Sequence, residues 1–286
     1  MKSFLAPIYD YTDLAFRQLC RNHGAESACV PLVNSLAVLK GKKIDAHPEE
    51  KNLGVQLVGN DPDAIGRCCS LLYEESPFIS WFNLNCGCPS SRTMGCGGGS
   101  AMLSDPGRIA RTVSSMKRTD AEISVKIRIR NNVEDTLSLC RELERAGADF
   151  IIIHGRTPGQ GYSEKADWHL IKAVHENVGI PVIGNGDIRS ASEGLEYIKK
   201  GFCDGYMVGR AAMANPLLFE NRKPEGLKGR YGLLREYLSL HRRYAGDPDL
   251  KDIRAKALNF ISGVREASRI RNEICRAKTI KNIVKD

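Results

Sequence analysis

The sequence predicts an α/β fold, a (β/α)8 TIM barrel followed by a small all-helical C-terminal domain, and three observations carry this expectation. Short β-branched or apolar runs alternate with amphipathic helical stretches up to about residue 210. Alternation of that kind implies a parallel sheet with crossover helices. Eight such runs occur in that length, whereas a doubly wound sheet more often shows about five or six strands and a G-x-G-x-x-G turn after the first, which is absent here. Beyond residue 220 strand candidates cease and helical periodicity takes over.

In chain order the strands are SFLAPI (3–8), ACVPLV (28–33), LGVQLVG (53–59), WFNLNCG (81–87), ISVKIRI (123–129), FIIIHG (150–155), IPVIGNG (180–186) and GYMVGR (205–210). The stretches between them carry helix punctuation. DPGRIARTVSSMKRT opens on acid and proline and ends on basic residues, and VEDTLSLCRELERAG stops at glycine, as helix termini require. Residues 34–51 form the weakest link, a loop with a short helix. YGLLREYLSLHRRYAG and DIRAKALNFISGVREASRIRNEICRAKTIKNIVK are helical in period. Pro224, Gly226 and Gly229 read as a linker, which divides the chain into a barrel, 1–226, and a helical domain, 227–286.

Composition narrows the function classes. In 286 residues, 42% hydrophobic and 27% charged content is ordinary for a globular chain and excludes collagen-like and disordered classes. No apolar run approaches the roughly 18 to 20 residues of a membrane span, and MKSFLAPIYD lacks a signal-peptide pattern. A cytoplasmic protein that meets no membrane is expected. Ten cysteines are too scattered for a disulfide scaffold, and Cys20, Cys68, Cys69 and Cys140 fall in helix-like apolar stretches as core fillers. The net charge of +8 is local: residues 221–286 hold 17 Lys and Arg against 8 Asp and Glu, leaving 25 against 26 upstream. Either a polyanionic partner or a solvated basic face accounts for such a tail.

In a barrel the chemistry gathers at the C-terminal ends of the strands. Those ends supply Pro7 to Tyr9, Gln56, Asn85 with Cys88, Lys126 with Arg128, His154 with Arg156, Asn185 to Asp187, and Gly209 with Arg210. GNGD and VGRAAM offer glycine backbone and a helix start where barrels often bind phosphate, with Arg210 as a clamp. The alternate residues of KIRIR put Lys126, Arg128 and Arg130 on one face, and three cations there call for an anion. NLNCGCPSSRTMGCGGGS holds three cysteines among glycines and has three readings. A metal site would want four ligands, commonly as paired C-x2-C. A nucleophilic pair would join a cysteine to His154. A thiol acting as general acid needs a pKa near the usual value of about 8.5, with glycines admitting a bulky planar substrate.

With these positions in view the chain resembles the tRNA-dihydrouridine synthases, flavin enzymes that reduce the C5=C6 bond of uridines in tRNA. The resemblance spans nearly the whole length and rests on LAPIYDYTD, VQLVG, LNCGCPS with its glycine run, VKIR, HGRTPGQGYSEKADW, IPVIGNGDI and GYMVGRAAMANPLLF in the family's order. It implies that Cys88 is the general acid and that Asn85 helps hold the uracil. It further implies that Pro7, Ile8, Tyr9, Gln56, Lys126, His154, Asn185, Gly186, Asp187, Gly209 and Arg210 bind FMN, with NADPH or NADH as reductant. Arg128 and Arg156 are expected on the substrate side. Departures concern the substrate grip: Ile8-Tyr9-Asp10 stands where the family commonly has Met-x-Gly, Arg130 where a glycine is frequent, and Arg92 is the cation nearest Ser91.

A tRNA must be held by more than one base, and Arg265, Arg269 and Arg276, spaced to share a helical face, are the expected phosphate contacts. The helical domain is then a tRNA-binding module whose removal leaves flavin in place. No obligate protein partner is implied. Two rival readings stay open, an FMN-dependent reductase of a free pyrimidine or enone and a non-catalytic RNA-binding barrel. The first needs no basic tail; the second has no use for Cys88 and Lys126.

Overall fold

In the computed structural model, which describes residues 1–284, eight strands form one parallel sheet in the order β1-β8-β7-β6-β5-β4-β3-β2. They are β1 (Ser3–Leu5), β2 (Ala28–Asn34), β3 (Leu53–Val58), β4 (Ile79–Cys86), β5 (Glu122–Arg128), β6 (Phe150–His154), β7 (Val182–Asn185) and β8 (Gly205–Val208). Between β1 and β2 a parallel bridge from Phe4 to Ser27 closes the barrel, with Leu5 N donating to Ser27 O over 2.9 Å.

Helix starts follow from local chemistry. Asp13, Asn34, Asp61, Asp105, Asn132, Asp167 and Ser190 each accept a hydrogen bond from a free N–H of the first turn, which removes at least one orphan donor per helix. They open α1 (Leu14–Asn22), α2 (Ser35–Leu39), α3 (Pro62–Glu75), α5 (Pro106–Met116), α6 (Val133–Arg145), α7 (Trp168–His175) and α8 (Ala191–Lys199). The cysteine loop adds α4 (Ser91–Gly95), and α9 (Arg210–Ala214) follows β8. As expected, residues 34–51 hold just the short α2 and a loop, and Arg17 pins that loop by a buried bidentate bond to Glu50.

The strands sort by period two. Ile123, Val125 and Ile127 join the large core beneath the helices, while Ser124, Lys126 and Arg128 take the barrel side of β5. The barrel's floor is aromatic: Phe4, Trp81 and Phe150 meet edge to face or tilted, with ring centroids 5.4–6.1 Å apart. A Cβ on Gly54 would come within 2.3 Å of Trp81. A glycine inside a strand costs about 0.5–1 kcal/mol of entropy, less than losing the indole it admits. Above the floor the interior turns polar.

The chain continues as α10 (Gly226–Ala245), α11 (Leu250–Phe260), α12 (Ala267–Arg276) and α13 (Ile280–Ile283). Gly226 and Gly229, read as linker, lie in the first turn of α10, where Gly229 lets Pro224 approach. Leu234, Tyr237, Ile253, Phe260 and Ile274 belong to the same hydrophobic cluster as Leu5, Phe16 and Val125. One core therefore runs through both segments. The expected basic face is interrupted: Gly263 (φ +76°) and Glu266 (φ +61°) break the helix, so Arg265 sits in a turn before α12 rather than in line with Arg269 and Arg276. Among the described residues no helix is long and apolar enough to cross a membrane.

Candidate active site

All eleven residues expected at the cofactor, Pro7, Ile8, Tyr9, Gln56, Lys126, His154, Asn185, Gly186, Asp187, Gly209 and Arg210, line a single cavity of about 720 Å³ at the strand ends. Asn85, Cys88 and Arg128 line it too. With Leu32 of β2 also in the lining, all eight strands contribute, because the ends of parallel strands and the residues that follow them necessarily emerge on one face of the barrel.

A ladder of side-chain amides sets the cysteine loop. Asn83 Nδ2 donates to Ser124 Oγ (2.8 Å), Gln56 Nε2 to Asn83 Oδ1 (2.8 Å) and Asn85 Nδ2 to Gln56 Oε1 (2.7 Å). Asn85 Oδ1 then accepts from Gly87 N and Cys88 N, at 3.2 and 3.0 Å. A buried polar network in which every member is paired is rigid, and this one ends on the backbone of Cys88. Gly99 (φ +61°) brings the glycine run against the loop; a Cβ there would lie 2.5 Å from Cys88 O.

The thiol is tuned by its neighbours. Burial pushes the Cys88 pKa up, but hydrogen bonds with the Ser90 hydroxyl and N–H and with the Thr93 hydroxyl, together with the Arg128 charge, outweigh burial and leave it below the ordinary thiol value. Ser90 Oγ lies 3.4 Å and Thr93 Oγ1 3.5 Å from Sγ. The other two cysteines of the loop go elsewhere: Cys86 is buried 3.9 Å from the Met102 sulfur, and exposed Cys96 donates to Thr93 O at 3.0 Å. The three do not converge as ligands.

Burial and the charges of Lys126, Arg128, Arg156 and Arg210 drive the His154 pKa down to about 2. Cys88 Sγ contacts the Ser90 and Thr93 hydroxyls while His154 Nε2 faces Arg156, so the hydrogen-bonded Cys–His pair that the nucleophilic reading needs is not formed. The His154 Nε2 lies 3.2 Å from the Arg156 guanidinium, which donates, so the ring proton is assigned to Nδ1.

Burial, reinforced by Arg128, pulls the Lys126 pKa down to about 8. Its ammonium makes no hydrogen bond or ion pair among the described residues. Arg189, Arg210, Lys223 and Arg230 also line the cavity, where Asp187 is the one carboxylate among the described residues. Asp187 stays ionised: its burial is outweighed by Arg156, by Ala166 N and by Arg210. Such a cavity selects an anion.

The two arginines expected on the substrate side are placed apart. Arg128 lines the cavity, yet its Nε donates to Gly87 O and its NH1 to Thr157 O, both at 3.0 Å, so it joins the cysteine loop to the loop after β6. Arg156, 2% exposed, lies behind the wall and holds Asp187 through both oxygens at 2.6 and 2.7 Å. Arg265 and Arg269 lie outside the cavity lining, and Arg269 is paired with Glu266 and Glu273.

Sequence reasoning missed Tyr162, Arg189, Lys223, Arg230 and Ser262. Tyr162, 58% exposed, lies under Arg210 at 3.8 Å from ring centroid to guanidinium; an aromatic directly after Gly161 in a strand-end loop was the available signal. Arg230 and Ser262 bring the helical segment into the cavity wall and had no local signal. Tyr9 and Arg92, both departures from the expected pattern, meet at 5.8 Å across the mouth.

The chain is similar to known proteins in sequence and in fold. Residues 4–284 match the family model described as Dihydrouridine synthase (Dus). A protein of Aquifex aeolicus (strain VF5), named "Probable tRNA-dihydrouridine synthase", is 31% identical over 98% of this chain and 93% of its own length. The tRNA-dihydrouridine(20a/20b) synthase [NAD(P)+] of Schizosaccharomyces pombe is 33% identical over 75% of this chain and 67% of its own. Among solved structures, histamine dehydrogenase from Rhizobium sp. 4-9 superposes with a TM-score of 0.54 at 13% identity, covering 84% of this chain and 49% of that one. At that identity the likeness concerns the barrel alone.

Proposed function

The chain belongs to the dihydrouridine synthase family, and from that premise we propose that it reduces the C5=C6 bond of uridines in tRNA, with Cys88 as the acid that protonates C5. The observation that carries this reading is the tuned thiol of Cys88, fixed by Asn85 in the same cavity as unpaired Lys126.

The cavity fits FMN. Its volume of about 720 Å³ suits a cofactor-sized ligand, and its six cations against one carboxylate suit a phosphate and an electron-rich ring. Lys126, Gln56, Asn185 and the Pro7–Tyr9 wall would hold the ring, and Gly209 with Arg210, at the start of α9 where no side chain caps the helix, the phosphate. FMN, when bound and reduced by NADPH or NADH, supplies the hydride for uracil C6. The protein does the rest. Asn85 orients the loop, Ser90 and Thr93 make the thiol a stronger acid, and Lys126 places a positive charge where negative charge builds up. A base inside a folded RNA must first leave its stack to reach Cys88.

Incubation of unmodified tRNA with the flavin-loaded protein and NADPH, followed by nucleoside analysis, is expected to show dihydrouridine. Reduction of a free pyrimidine or an enone with no dihydrouridine in tRNA would overturn the reading. Lys126→Ala is expected to weaken flavin retention or slow flavin reduction, measured by flavin content and stopped-flow absorbance; equal values in both would take Lys126 out of the site.

For the RNA, the helical segment supplies phosphate contacts that position without reading sequence. Arg265→Glu combined with Arg269→Glu should weaken tRNA binding and lower the salt slope by about 2, with added repulsion from the freed Glu266 and Glu273. Unchanged affinity in the double variant would leave these helices a covering role.

A further inference from the structure

The loop that follows β1 forms one wall of the cavity through Ala6, Pro7, Ile8 and Tyr9. Its shape is demanding. Tyr11 N and Thr12 N both donate to Ile8 O at 3.0 Å, and Asp10 sits at φ +56°, a left-handed conformation unfavourable to a side chain. Such a turn persists when its surroundings over-determine it, and one of its three anchors comes from the far end of the chain.

Arg17 of α1 donates to Thr12 O at 2.9 Å, and Tyr11 OH donates to Met213 O of α9 at 3.0 Å. The third anchor is Lys256 of α11, 1% exposed. Its ammonium donates to Tyr11 O and pairs with Asp13 Oδ2 at 2.8 Å, above the Tyr11 ring at 3.8 Å from the centroid. Tyr237 OH of α10 donates to the same Asp13 oxygen at 2.9 Å. A buried lysine with a full complement of acceptor, carboxylate and aromatic face carries little net stabilisation compared with an apolar substitute. What it does supply is a fixed position for the groups it joins.

We propose that Lys256 is a positioning residue of the cofactor cavity: from the helical segment it holds Tyr11 and Asp13, and so sets the Pro7–Tyr9 wall and, through Tyr11 and Met213, the seat of α9. The proposal rests on the FMN reading. The helical segment is then part of the flavin site as well as a hold on RNA, and removing it releases flavin, contrary to the modular expectation from sequence.

The test compares FMN dissociation constants of wild-type, Lys256→Met, Lys256→Arg and Tyr11→Phe apoproteins by flavin fluorescence quenching, with thermal midpoints of the same flavin-free samples. Lys256→Met should raise the dissociation constant about tenfold or more, and Lys256→Arg should recover part of it. Tyr11→Phe, which removes a single hydrogen bond to α9, should raise it roughly two- to tenfold and keeps the test decisive if Lys256→Met does not fold. A Lys256→Met protein with a lowered midpoint but wild-type flavin affinity would show a purely structural lysine and overturn the proposal, as would an unchanged Tyr11→Phe where Lys256→Met is unfolded. Wild-type apoprotein that fails to bind FMN overturns the cofactor reading and this proposal together, whereas binding by wild type and variants alike overturns this proposal alone.

Discussion

Replacing Cys88 by alanine is expected to cut dihydrouridine formation about 100- to 10,000-fold, the usual worth of a general acid, with flavin content and its reduction by NADPH unchanged. The reason is geometric. Asn85 Oδ1 holds the backbone N–H of residue 88, which alanine keeps, so the loop and the cavity survive while the proton donor is lost. Undiminished uridine reduction in the variant would remove Cys88 from the mechanism. A pH dependence follows from the same contacts. The acid must be protonated, and its pKa lies below that of an ordinary thiol, so activity falls as pH rises through that lowered value. Ser90→Ala removes one hydroxyl that favours the thiolate and should move this alkaline limb to higher pH. A limb that stays in place, read from rates on the tRNA substrate, would mean that another group controls it.

Arg156→Met is expected to destabilise the protein by about 3 kcal/mol, as breaking a buried ion pair does, and to lower the melting midpoint by roughly 5 to 10 °C. The guanidinium holds both Asp187 oxygens, donates to Glu164 O at 2.6 Å and meets His154 Nε2 at 3.2 Å. Without it these acceptors lose their partner inside the wall. The loss is held to the lower part of the usual range because Asp187 is a third exposed and keeps Arg210 at 3.3 Å. Calorimetry decides. A midpoint within about 2 °C of wild type, accompanied by a raised KM for tRNA, would return Arg156 to the substrate side where its place after β6 first put it.

The gap between those two expectations for Arg156 shows where sequence reading ends. Period-two alternation and the common direction of parallel strands are local properties, so the residues after each strand could be assigned to one face from sequence. That sufficed for the barrel and for bringing Cys88, Lys126 and His154 into one cavity. Which of His154 and Arg156, two residues apart, reaches the cavity, and which turns behind it to a carboxylate 31 residues on, depends on packing that no spacing encodes.

The same holds for the helical segment. Its period and its charge were legible, but the break at Gly263 takes Arg265 off the helix, and a glycine inside a basic helical pattern does not announce its own φ. Arg230 and Ser262 reach the cavity, and Lys256 grips Tyr11 from 245 residues away. By itself the sequence determined the fold class and the face that carries the chemistry, because these follow from local periodicity and strand direction, whereas Cys88 was singled out among the three loop cysteines by the family resemblance. Only the tertiary structure decided which charges pair, which remain for an anion, and that the helical segment shares the barrel's core, because these depend on contacts between residues that the chain keeps far apart.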